Sequence, residues 1–156
     1  YGGQTDNPAT YTNTMNYVQI STLGDSADFG DLTAGYWGSW GQSSVSNAIR
    51  GCIGGVGGSP SGLTNTIDYV TTATLGDAKD FGDLTSSEGY GFRSTQLCSN
   101  TRGLFVGGYT PSSPNKSNVI DYIEIMTTGN AVDYGDISYT TGGFIGTGSN
   151  GHGGLG

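Results

Sequence analysis

The stretch NTIDYVTTATLGDAKDFGDLT (residues 65–85) decides the fold. Its second half crowds acidic residues and a glycine around Phe81 and reads at first like a calcium loop. The same wording recurs as DSADFGDLT (25–33) and NAVDYGDIS (130–138). Tyr17, Tyr69 and Tyr122 are spaced by 52 and 53 residues, and Phe29, Phe81 and Tyr134 keep the same intervals. So do the glycine pairs Gly2-Gly3, Gly54-Gly55 and Gly107-Gly108. One pattern is therefore written three times, and a period of this length means a repeat architecture. The chain reads as a single repeat domain, 1–156, with units of about 1–52, 53–104 and 105–156.

Within a unit the residues favour strands. Thr, Val, Ile and Tyr dominate 65–76 and suit a pleated surface. AKDFGDLT (78–85) supplies a second strand. Between them, Gly76-Asp77 matches Gly24-Asp25 and Gly129-Asn130. A glycine followed by Asp or Asn is a two-residue hairpin signal, because glycine readily takes positive φ. That register opposes Ile20 to Phe29 and Ile125 to Tyr134, with Val18 and Ile123 on the same face. It makes the aromatic of DFGD a core residue. TRGLFVGGYT (101–110), matched by IRGCIGGVGG in the second copy, and GYGFRSTQLCSN (89–100) add two more strands. No segment sustains apolar residues at helical spacing between caps. Each unit is expected to be four short antiparallel strands.

Composition agrees with a sheet protein rich in turns. Glycine accounts for 30 of 156 residues and charged residues for only 12%, too few for an acidic disordered chain. No apolar run approaches the length needed to cross a membrane, so membrane insertion is not expected. The chain has no initiator Met and no signal peptide, and is expected to be processed or part of something longer. Thirteen acids against five bases give a net charge of −8, which repels phosphate backbones and argues against nucleic acid as a partner. Cys52 and Cys98 fall at different places in their repeats and read as buried small hydrophobes, with a disulfide as the lesser alternative.

Four strands in about 50 residues is the period of a β-propeller blade. A glycine pair closing one strand (Gly107-Gly108), a Tyr in the next (Tyr122) and an aromatic in the last (Tyr134) resemble Kelch repeats. The chain departs from the Kelch pattern in placing Phe29, Phe81 or Tyr134 where a Trp is usual, and in the long gap between the Tyr and that aromatic. The wording NTIDYVTTATLGDAKDFGDLT is also similar to tandem repeats of structural and tail-associated proteins of tailed bacteriophages of marine and cyanobacterial hosts. This resemblance covers all three copies and implies a virion or appendage protein with Kelch-like blades. It implies no catalytic residues. The expected fold is all-β and propeller-like, with three Kelch-like four-stranded blades of about 52 residues.

The ends bear on closure. Joined tail to head they read GGLGYGGQ, close to RGLFVGGY, so one strand is expected to be shared between the termini. Three blades fall below the usual four to eight of a ring. The expected partners are therefore copies of the chain, two of which would make a six-bladed ring, or further repeats of a longer array. Other virion proteins, and a surface glycan in the rival reading below, complete the expected partners.

Candidate site residues are few. Asp25, Asp28 and Asp31 recur as Asp77, Asp80, Asp83 and as Asn130, Asp133, Asp136. Calcium takes six to eight oxygens, and carboxylates at this density could begin a shell. The spacing is not that of an EF-hand, and on a regular strand acids three residues apart face opposite ways. The acids therefore read as turn formers and edge-solvating residues, with no metal and no cofactor. His152 is the only histidine and stands where other copies have Arg, and no nucleophile–base–orienter set can be assembled around it. No phosphate-loop Lys follows the glycine runs. An enzyme is not expected. Tyr36, Trp37 and Trp40 form one aromatic cluster, read either as blade filling or as a face for a sugar or protein. The expected function is a structural component of a virion or extracellular assembly. The rival is a carbohydrate- or host-receptor-binding module.

Overall fold

The computed structural model describes residues 4–6, 9–36, 43–55, 57–59, 62–86, 97–110 and 116–141. They form antiparallel sheets, and no helix occurs among the described residues. The first sheet has the order β1 (Gln4–Asp6), β2 (Ala9–Tyr17), β3 (Ala27–Tyr36). The second is four-stranded, with β4 (Ser43–Ser46), β5 (Arg50–Gly54), β8 (Thr66–Thr71) and β9 (Lys79–Asp83) in that order. A small hairpin of β6 (Gly57–Ser59) and β7 (Gly62–Leu63) is inserted between β5 and β8. The third sheet runs β10 (Arg102–Gly108), β11 (Ser117–Glu124), β12 (Val132–Thr141). A bridge from Cys98 to Gly103 extends it where Ser46 pairs with Gly51 in the second sheet. The sheets are out of phase with the sequence units: β4 lies in the first copy but pairs in the second sheet.

The turn signal has a different meaning from the one expected. Gly24-Asp25, Gly76-Asp77 and Gly129-Asn130 do not close two-residue hairpins. They sit in the longer loops 18–26, 72–78 and 125–131. The register pairs Asn16 with Asp28 and Met15 with Gly30, so Ile20 does not oppose Phe29. Tyr122 pairs with Val132, and Ile125 lies in the loop, so Ile125 does not oppose Tyr134. The aromatic instead meets the repeated Tyr of its own sheet. Tyr17–Phe29, Tyr69–Phe81 and Tyr122–Tyr134 are all edge-to-face pairs, with centroids 6.1, 6.0 and 6.0 Å apart.

A bulge makes this possible. In each sheet the register slips at DFGD or DYGD, between Met15 and Asn16, Ile67 and Asp68, and Ile120 and Asp121 on the facing strand. The glycine after the aromatic has φ of 142°, 143° and 138° in the three copies, a region that a side chain would strain.

The sheets stack face to face, and the core lies between them. Val45, Cys52, Ile67 and Phe81 of the second sheet pack with Phe105 and Ile123 of the third. Ile53 and Val70, on the other face of the second sheet, pack against Met15, Leu32 and Ala78. The third sheet meets the second closely at Gly103, whose backbone lies against the Val45 side chain: a Cβ added there would run into it.

Cys52 and Cys98 are both buried and form no disulfide, as the small-hydrophobe reading holds. The Cys98 thiol donates to the Ser46 carbonyl at 3.2 Å. Burial pushes the Cys52 thiol up from 9.0 to about 12, and the nearby Arg50 guanidinium offsets part of that. Because the folded value is raised, this stabilisation is full below pH 9.0 and is lost as pH climbs toward about 12. Unfolding free energies from urea titrations should therefore fall above pH 9, and fall less steeply in Cys52→Ala. Parallel curves would show that the thiol does not contribute.

Candidate functional site

The residues that recur with distinctive chemistry converge on the junctions between sheets. Asp68 on β8 and Asp121 on β11 sit inside apolar runs, IDYV and IDYI, and are 2% and 1% exposed. A carboxylate is buried at such a position only when donors meet it. Here the donors come from the preceding sheet. Thr33 gives Asp68 its backbone N–H at 3.1 Å and its hydroxyl at 2.6 Å. Thr85 gives Asp121 the same pair at 3.1 and 2.7 Å. The short hydroxyl–carboxylate contacts are charge-assisted, the stronger kind of hydrogen bond. Asp121→Ala should cost about 1.5–3 kcal/mol, the worth of hydrogen bonds to a charged group. Denaturant melts would check this, and a change of a few tenths would remove the clasp role.

The long loops form the second half of each junction. Gly76 and Ala78 donate their N–H groups to the carbonyls of Phe29 and Asp31, at 2.8 and 2.7 Å. Asp31 returns its N–H to Asp77 Oδ1 at 3.0 Å. One unit later, Gly129 and Ala131 donate to Phe81 and Asp83 at 2.8 and 2.7 Å, and Asp83 donates to Asn130 Oδ1 at 3.1 Å. The loop thus lies along the outer strand of the sheet before it, and covers that edge. Contact is this close only because the bulge residue is glycine. A Cβ on Gly30 would stand 2.5 Å from the Gly76 carbonyl carbon and oxygen, and Gly82 meets Gly129 in the same way.

The repeated acids fall into this scheme. Asp28, Asp80 and Asp133 each accept the N–H of the residue two further on, at 3.1, 3.0 and 2.8 Å, and so cap the bulge. Asp77 and Asn130 serve the junctions. Asp25, the first-copy equivalent, is exposed in loop 18–26. The acids three residues apart do not face opposite ways. Asp28 and Asp31 pair with Asn16 and Thr14, which share a face, so the bulge returns both acids to one side of the sheet. The same holds for Asp80 with Asp83, opposite Asp68 and Thr66, and for Asp133 with Asp136, opposite Asp121 and Val119. Even so, among the described residues no group of three His, Cys, Asp or Glu could hold a metal ion. EDTA should leave the melting temperature unchanged, and a large calcium-dependent rise would overturn this reading of the acids.

Trp37, Trp40 and His152, the Tyr36 side chain and the joined termini lie outside the described residues. Asp68 and Asp121 are the junction residues that the turn-and-strand reading missed. Their signal was an aspartate recurring within an apolar strand. Among the described residues no helix is long and apolar enough to cross a membrane. No protein-family model matches the chain, and no curated protein matches it.

Proposed function

We propose that this chain is a structural component of a virion or extracellular assembly, built from Kelch-like blades in a propeller-like stack. One observation carries the reading. The repeated residues with distinctive chemistry join one sheet to the next: the Asp68 and Asp121 carboxylates, the bulge glycines, and the Asp77 and Asn130 side chains. Sheets packed face to face and, among the described residues, joined to their sequence neighbours suit a ring or array, whose stability is a sum of unit and interface terms. Two chains making a six-bladed ring is the simplest closure. The reading assigns the chain no catalytic step and no cofactor. The virion setting is proposed on the resemblance of the repeat wording alone to that of tailed-bacteriophage structural proteins.

The test sets mass in solution against ligand binding. The purified chain should form ordered oligomers visible by sedimentation and electron microscopy, and should give no signal on a glycan array. A monomer that binds a defined glycan would replace this reading with a carbohydrate-binding module.

A further inference from the structure

We propose that the chain joins copies of itself head to tail, with the free face of its third sheet seating the free face of the first sheet of a second copy. The two junctions inside the chain are the template. In both, one sheet offers its bulged outer strand, and the following sheet offers a loop and the middle of its long strand. Two such half-junctions are left over among the described residues. The third sheet has the bulged strand around Tyr134, Gly135, Asp136 and Ser138, and the first sheet has Asn16 and loop 18–26.

Matching positions show what the missing neighbour would cover. Val18 stands at the position of Ile123 and is 60% exposed where Ile123 is 2%. Ile20 stands at the position of Ile125 and is 98% exposed where Ile125 is 0%. On the other free face Tyr134 is 59% exposed where its counterpart Phe81 is 3%. Apolar side chains grouped in this way on a surface mark an interaction site.

The polar groups also match. Gly135 keeps the glycine-only φ of 138°, yet among the described residues nothing lies within 4 Å of a Cβ built on it. At Gly30 and Gly82 the same space is filled by the next sheet's Gly76 and Gly129. Gly24 of a second copy is the equivalent residue. By the template, Gly24 and Ser26 of that copy donate to the Tyr134 and Asp136 carbonyls. Asp136 N–H reaches Asp25, and Ser138 meets Asn16. Arg50 Nη1 donates across its junction to the Ile125 carbonyl at 3.0 Å. Arg102, its counterpart, instead pairs with Glu124 at 2.6 Å on the surface, and the Ile20 carbonyl of a second copy is the matching acceptor.

The joint between copies is built to be weaker than those within the chain. Asn16 replaces the buried aspartate, so the charge-assisted bonds of Asp68 and Asp121 become neutral ones. Each copy also carries a charge of −8, so association should tighten with added salt. A joint between unlike surfaces closes into a ring or extends into a filament according to the rotation per unit.

The test uses the whole 156-residue chain in two cysteine variants, Asn16→Cys and Ser138→Cys, treated with a short bismaleimide. A cross-linked dimer is expected when the two are mixed, and not from either alone. Gly135→Ala should retain the sheet signal in circular dichroism and sediment as a 16.0 kDa species while the parent chain sediments as a larger one. Equal cross-linking in the single-variant arms, or an associated Gly135→Ala, would overturn the interface. The inference rests on the assembly reading only in that both need self-association. Oligomers without the mixed cross-link would remove this interface and leave that reading standing, whereas a monomeric parent chain would remove both.

Discussion

Replacing Phe81 with alanine is expected to lower the unfolding free energy by about 3–5 kcal/mol, the range for truncating a buried aromatic. Phe81 is 3% exposed and belongs to the core shared by the second and third sheets. Its loss therefore opens a cavity and also removes the ring that meets Tyr69 edge-on. Tyr134→Ala is the contrast within the same chain. It deletes the corresponding ring, but from a side chain 59% exposed, and should cost far less in the isolated chain. Urea titrations of both variants would check this. Similar losses in the two would mean that Phe81 does not lie between sheets.

Gly82→Ala should be nearly as damaging. The new methyl group meets strain at φ 143° and the backbone of Gly129, which has no flexible end to move aside. Strain of about 1–3 kcal/mol and overpacking of a similar size together give about 2–6 kcal/mol. Gly135→Ala has nearly the same φ, 138°, but within an isolated chain no described residue lies within 4 Å of the new Cβ. The difference between the two variants in denaturant melts isolates the clash with the next sheet. Equal losses would show that only local backbone strain matters.

Much of the architecture was legible because it is repeated. The spacing of Tyr17, Tyr69 and Tyr122 implies three similar units, and TRGLFVGGYT contains the strand Arg102–Gly108. The loops were misread for a physical reason. Gly-Asp is a local hairpin signal, and its real partners, such as Asp31 for Asp77, lie 46 residues away in another sheet. No local rule contains that distance. The bulge was hidden as well, and one extra residue reverses which side every later side chain faces. Asp28 and Asp31 therefore share a side that a regular strand would not give them. The buried acids could have been found. Asp68 shares its strand face with Val70, and Asp121 with Val119 and Ile123, and a carboxylate buried on such a face costs too much unless a remote donor answers it. The first copy has Asn16 there, and the third has a Tyr in place of Phe, both at faces that no sheet covers among the described residues.

The junction clasps also carry a direction. Thr33 completes Asp68, and Thr85 completes Asp121, so each carboxylate waits on a residue made earlier in synthesis. The loops obey the same order, since Gly76 and Gly129 dock on strands that leave the ribosome before them. A nascent chain therefore never has to bury an aspartate before its donors exist, and each finished sheet is the surface on which the next one settles. Growth from the amino end becomes a vectorial process, with protection of the Gly129 and Ala131 amides from hydrogen exchange trailing that of the first two sheets. A further sheet that docked on β12 would meet a strand edge already shaped to receive it.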